Sequence, residues 1–140
     1  MYYLEGQMYN THMNLENMTL ETPYLCLDAE FYDLRNPEPL DEPYLISFNP
    51  EAAKLIDLDS ESFNDPLLIA LLNGTFSPKG SRFFAMCYAG HQFGNYNPWL
   101  GDGRAMNLGR TFGWNLQLKG SGETLYSRTA DGRAAIRSSI

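Results

Sequence analysis

Between Leu100 and Gly122 the chain brackets a strictly alternating segment with glycine-rich turns, which limits this region to strands joined by tight connections. Trp114, Leu116 and Leu118 fall on one face of that segment, and Asn115, Gln117 and Lys119 on the other. Upstream stands Gly101-Asp-Gly103-Arg104 and downstream Gly120-Ser-Gly122, with a second Asp-Gly-Arg at Asp131 to Arg133. Glycine lacks a Cβ, so such turns let backbone N–H groups come close to an anion. A lysine ending a strand after a glycine turn has the layout that protein kinases use to hold phosphate. The spacing alone leaves open whether Lys119 is an exposed strand residue or a phosphate ligand. Met106 stands where a third glycine would complete a dinucleotide fingerprint, and no Gly-Lys-Ser/Thr closes a P-loop.

The rest of the chain reads as scaffold. Residues 1–21 form a polar, aperiodic lead-in, weakly ordered, with at most a helical turn. Residues 22–87 hold a proline-rich wrapping segment, where Pro23, Pro37, Pro39 and Pro43 forbid a long helix. Phe31, Tyr32, Tyr44 and Phe48 are expected to anchor it. Asn49-Pro50-Glu51 and Asp65-Pro66 are helix starts, and Asn73-Gly74 is a stop. The second helix, Leu67 to Leu72, is apolar on nearly all sides and should be well buried. Arg82 to Tyr88 fits strand or helix. Residues 88–140 carry the nucleotide-binding strands and loops. After Asp131, Ala134, Ala135, Ile136 and Ile140 begin a helical pattern that is still running at the last residue. One incomplete domain is expected, the amino-terminal piece of a longer protein.

The charge distribution suits a small anionic ligand or a merely solvated surface. Residues 81–140 carry seven Lys/Arg against three acids, +4, whereas residues 1–80 carry three against fourteen, −11. An acidic first half argues against a nucleic-acid partner. No apolar run reaches the length of a membrane span and the start lacks signal-peptide layout, so a cytoplasmic protein is expected. Cys26 and Cys87 are far apart, as are His12 and His91, so no metal cluster can be assembled from them. His91 is either a general base or a loop anchor. Arg128 and Arg137 are candidates for charge neutralisation or ordinary ion pairs.

Several motifs in order carry a resemblance: Tyr88-Ala-Gly-His-Gln-Phe-Gly94, Leu100-Gly-Asp-Gly-Arg-Ala105, Leu118-Lys-Gly-Ser-Gly122, Tyr126-Ser-Arg128, and Asp131-Gly-Arg-Ala134 followed by Arg137-Ser-Ser-Ile140. From about Thr22 onward the chain resembles the selenoprotein O family, YdiU in bacteria. That resemblance implies an α+β fold, part of a protein-kinase-like N-lobe, and transfer of AMP from ATP to Ser, Thr or Tyr hydroxyls of acceptor proteins. It implies ATP and Mg2+ (or Mn2+) as cofactors, with no nucleic acid and no membrane partner. Gly101, Gly103, Arg104, Lys119, Asp131 and Gly132 fall at its ATP-contacting positions. The family's lysine-pairing glutamate, catalytic aspartate and metal ligands come after the position of Ile140, so no catalytic or metal residue is expected within this chain, and it should be inactive alone. A protein kinase or pseudokinase remnant and a non-catalytic, redox-regulated interaction module are the alternatives. Arg110, Leu125 and Ala130 depart from the family pattern, which has Glu, Pro and Gly there, and the connection from Gly109 to Trp114 is short.

Overall fold

The alternating segment forms a strand, β6 (Trp114–Lys119), hydrogen-bonded antiparallel to β5 (Ala105–Thr111). The computed structural model describes residues 14–128 and the backbone of Ser138 and Ser139. The other strands are β1 (Tyr32–Leu34), β2 (Phe84–Met86), β3 (Gly90–Gln92), β4 (Asn95–Asn97) and β7 (Ser138–Ser139), and the helices are α1 (Pro50–Lys54) and α2 (Pro66–Asn73). An antiparallel sheet runs β1-β2-β5-β6-β7, and β3-β4 is a separate hairpin. The architecture is α+β, with few and short helices.

Phe112 and Gly113 alone connect β5 to β6, at φ +48° and +82°. Two successive positive φ values are the type I′ turn whose twist matches a hairpin, so the short connection needs no extra residues. A phenylalanine is strained there, and its ring is mostly exposed. Phe112→Asn is therefore expected to stabilise the chain by about 1 kcal/mol in denaturant unfolding; an unchanged or lower midpoint would contradict this.

Leu108 bulges out of the ladder between Asn107↔Gln117 and Gly109↔Leu116. The bulge leaves Leu108 almost fully buried and Gly109 at φ +135° under the N-terminal segment. A Cβ on Gly109 would stand 2.9 Å from the Glu21 carbonyl oxygen. Glu21 and Arg110 exchange backbone hydrogen bonds of 2.9 and 2.7 Å, extending the edge of β5 past β2. Their side chains form an ion pair at 3.0 Å, which gives Arg110 a structural partner.

The core packs Leu15, Met18 and Leu20 with Leu68 and Leu71 of α2, Phe83, Leu108 and Leu118. Leu15, Met18 and Leu20 of the expected lead-in thus reach the interior, while Asn14, Glu16, Asn17, Thr19 and Glu21 between them stay exposed; residues 1–13 lie outside the described residues. The order of residues 14–21 comes from burial and from a 3-10 turn, Leu15–Asn17, in which Asn14 Oδ1 accepts from Glu16 N at 3.0 Å.

Both helix starts form as their caps dictate. Asn49 Oδ1 accepts from the amides of Glu51 and Ala52, and Asp65 Oδ1 from that of Leu67. Gly74 closes α2 at φ +76°. The expected deep burial of α2 holds on one flank only. Leu68 and Leu71 are buried, whereas Ile69 and Leu72 line an open apolar groove of about 680 Å3 with Phe48, Ile56 and Trp114. Of the expected anchors, Phe48 packs against the core, whereas Tyr44 is largely and Phe31 about half exposed; Tyr24 stacks on Phe84, at 5.9 Å. Arg82 to Tyr88 resolves as strand at β2.

The helix expected after Asp131 meets a correction at its end. Ser138 and Ser139 are extended, paired with Lys119 and Leu118. The open edge of β6 offers unpaired N–H and C=O groups, and serine is an indifferent helix former. Asp131, Gly132, Ala134 to Ile136 and Arg137 lie outside the described residues.

Candidate functional site

Lys119 ends β6 on the face opposite the core, sharing that face with Gln117 and its cross-strand neighbour Asn107. Gln117 Nε2 donates to Asn107 Oδ1 at 3.3 Å, and Asn107 Nδ2 donates to Asp102 Oδ2 at 2.9 Å. A polar row therefore runs from Lys119 to the glycine turn. Ala105 pairs with Lys119, and Gly120 N donates to Arg104 O at 2.8 Å. Arg104 and Lys119 are thus brought together at one end of the β5–β6 ladder. Both side chains are exposed, and among the described residues neither makes a hydrogen bond or an ion pair.

The glycines of this stretch also meet the rest of the fold. The amides of Gly101 and Asp102 point back into the fold, to Tyr88 O at 3.1 Å and Met86 O at 2.9 Å. Gly101, at φ +54°, lies against the Tyr126 ring, where a Cβ would be 2.4 Å from Cγ. Gly103 is half-buried, and its carbonyl accepts from Ser127 Oγ. Among the described residues the amides of Gly103 and Arg104 form no backbone hydrogen bond, so they are the ones that could face an anion. Gly122 allows a close approach too, but by Glu38, whose amide donates to Ser121 O at 2.7 Å. The Ser121 side chain is fully buried, and its Oγ has no hydrogen-bond partner among the described residues.

His91 lies on β3, exposed, facing Tyr96 across the hairpin at 5.4 Å between rings. It anchors no loop. Arg128 donates to Gln92 Oε1 on the same hairpin. Asp131 and Gly132 lie outside the described residues.

Residues that sequence reasoning passed over hold the turn in place. Asp102, Thr124 and Ser127 interlock around Gly103, and the only trace in the sequence is a Thr and a Ser three residues apart. Tyr126 has its hydroxyl pushed up to about 12, by burial first and then by the neighbouring Cys87 thiol. Tyr24 and Tyr88 are also raised, by burial and then by the Asp102 charge. These phenols remain protonated donors far above neutral pH.

The family model described as protein adenylyltransferase SelO matches residues 14–140. The protein nucleotidyltransferase YdiU of Thiobacillus denitrificans is 45% identical over 131 residues, which cover 90% of this chain and 27% of that protein. The YdiU proteins of Photobacterium profundum and Pseudomonas fluorescens are 42% and 43% identical over the same length, covering 90% of this chain and 26% and 27% of theirs. The chain spans about a quarter of the length of these curated relatives. With its glycine turn and strand lysine in place, the chain belongs to the SelO protein adenylyltransferase family.

Proposed function

We propose that this chain supplies the phosphate-holding part of a protein adenylyltransferase with a kinase-like N-lobe. The observation that carries the reading is that Arg104 and Lys119, both exposed, stand at the same end of the β5–β6 ladder, where Lys119 pairs with Ala105 and Arg104 O accepts from Gly120 N. Two cations at one end of a ladder raise the local positive potential, which favours a polyanion there. The triphosphate of ATP suits these two groups and the amides of Gly103 and Arg104. Asp131 and Gly132 are proposed as further nucleotide contacts.

In the proposed reaction an acceptor Ser, Thr or Tyr oxygen bonds to the α-phosphorus of ATP, and the bond to the bridging oxygen breaks. Pyrophosphate leaves with its charge, which Arg104 and Lys119 would neutralise. Mg2+ or Mn2+ would share that task. Among the described residues no cluster of three or more His, Cys, Asp or Glu could hold a metal, so no step is assigned to an ion here. The base that takes the acceptor proton is proposed to come from outside this chain, which is then inactive alone.

Incubating the full-length protein with acceptor protein and ATP labelled at the α- or the γ-phosphate tests the reading. Transfer of the α-label is expected, reduced about 100-fold or more by Lys119→Ala. Transfer of the γ-label, or an unaffected Lys119→Ala enzyme, would overturn it.

A further inference from the structure

Asp102 is a nearly buried residue between two glycines, and its Oδ2, amide and carbonyl tie it to β2, to β5 and to Thr124. Its Oδ2 accepts from Met86 N of β2 at 3.0 Å and from Asn107 Nδ2 of β5 at 2.9 Å. Its amide donates to Met86 O at 2.9 Å. Its carbonyl accepts from Thr124 Oγ1 at 2.8 Å. Thr124 is buried in turn. Its amide donates to Ser127 Oγ at 2.8 Å, and its Oγ1 accepts from Tyr126 N at 3.1 Å. Ser127 Oγ donates onward to the Gly103 carbonyl.

Two consecutive peptides of the turn are therefore gripped at their carbonyls from the Thr124–Ser127 side, and these are the peptides that carry the amides of Gly103 and Arg104. A turn this rich in glycine has many backbone states available, and freezing one before ligand binding removes an entropic cost from the binding step. Ionised acceptors make stronger hydrogen bonds than neutral ones, which suits a carboxylate at the centre of the grip.

We propose that Asp102 and Thr124 are positioning residues: together they set the Gly103–Arg104 backbone in its anion-facing conformation. The Thr124 hydroxyl holds the peptide after Asp102, and the Asp102 carboxylate holds the turn to β2 and β5. Neither side chain touches the nucleotide. The inference rests on reading Arg104 and Lys119 as phosphate ligands.

The test uses the full-length protein with ATP as the varied substrate. Thr124→Val keeps the shape and removes the hydroxyl, and it is expected to raise KM for ATP about tenfold, with kcat at saturating ATP changed less than about threefold. Thr124→Ser is expected to return KM to within about threefold of the original. If Thr124→Val does not fold, Asp102→Asn takes its place, with the same rise in KM and a retained kcat. An unchanged KM, a loss confined to kcat, or a Thr124→Ser enzyme no better than Thr124→Val would overturn the proposal. Lys119→Ala in the same assay separates the two readings. If it binds and turns over ATP normally, the phosphate site itself is wrong. If it is impaired while Thr124→Val and Asp102→Asn keep their KM, only the positioning role falls.

Discussion

Gly101→Ala is expected to destabilise the chain by about 3 kcal/mol, lowering its thermal midpoint by roughly 10 °C. Two costs combine. An L-residue at φ +54° is worth about 1–2 kcal/mol on its own. The new Cβ would also stand 2.4 Å from Tyr126 Cγ and 2.7 Å from its Cβ, so the ring must leave its place. Moving that ring disturbs the Thr124–Ser127 segment and with it the grip on Gly103. Gly113→Ala is the control, because its φ of +82° is as unfavourable but nothing lies within 4 Å of the Cβ position. It should cost only about 1 kcal/mol. Thermal and denaturant unfolding of both variants decide the matter: equal losses would show that the Tyr126 contact does not constrain the turn.

Removing residues 1–21 is expected to abolish cooperative unfolding. The deletion strips Leu15, Met18 and Leu20 from the core, all 2% exposed or less, and frees the β5 edge beside Arg110. Met18→Ala alone should cost about 3 kcal/mol, since a fully buried side chain is lost and its neighbours close the gap only in part. A truncated chain starting at Thr22 should show a broad, shallow denaturant transition by circular dichroism. A sharp transition at the original midpoint would return these residues to the status of a lead-in.

The elements that were legible in the sequence are those whose signals are local. Asn49-Pro50, Asp65-Pro66 and Gly74 specify helix ends through side chains and dihedrals within a few residues, and β6 announces itself by alternation. The segment 14–21 gave no such signal, because its inward side chains at 15, 18 and 20 follow neither the helical nor the strand period for long enough. The hairpin β3–β4 was also hidden, with three-residue strands Gly-His-Gln and Asn-Tyr-Asn around a Phe93-Gly94 turn at φ +53° and +79°.

For the candidate site, residue types single out the stretch from Gly101 to Gly122 but not the contacts that each glycine makes. Gly101 answers to Tyr126 and Gly122 to Glu38, contacts that no spacing rule could supply. The departures from the family pattern acquire physical content in the same way. Leu125 N donates to Asp33 Oδ2 at 2.9 Å, a bond that the usual proline could not make. Arg110 meets Glu21, so its charge is balanced within the scaffold. Ala130 lies outside the described residues.

The Glu21–Arg110 contact also bears on how the chain reaches this structure. Its partners are 89 residues apart in sequence, and the Asp33–Leu125 contact spans 92. Closing loops of that size must precede any reward from the contacts they enable. The β5–β6 hairpin, with its two-residue turn, can form early and alone. On a ribosome the first forty residues would then wait, partly exposed, until Arg110 and Leu125 had emerged, and the docking of Leu15, Met18 and Leu20 would be a late, rate-limiting event.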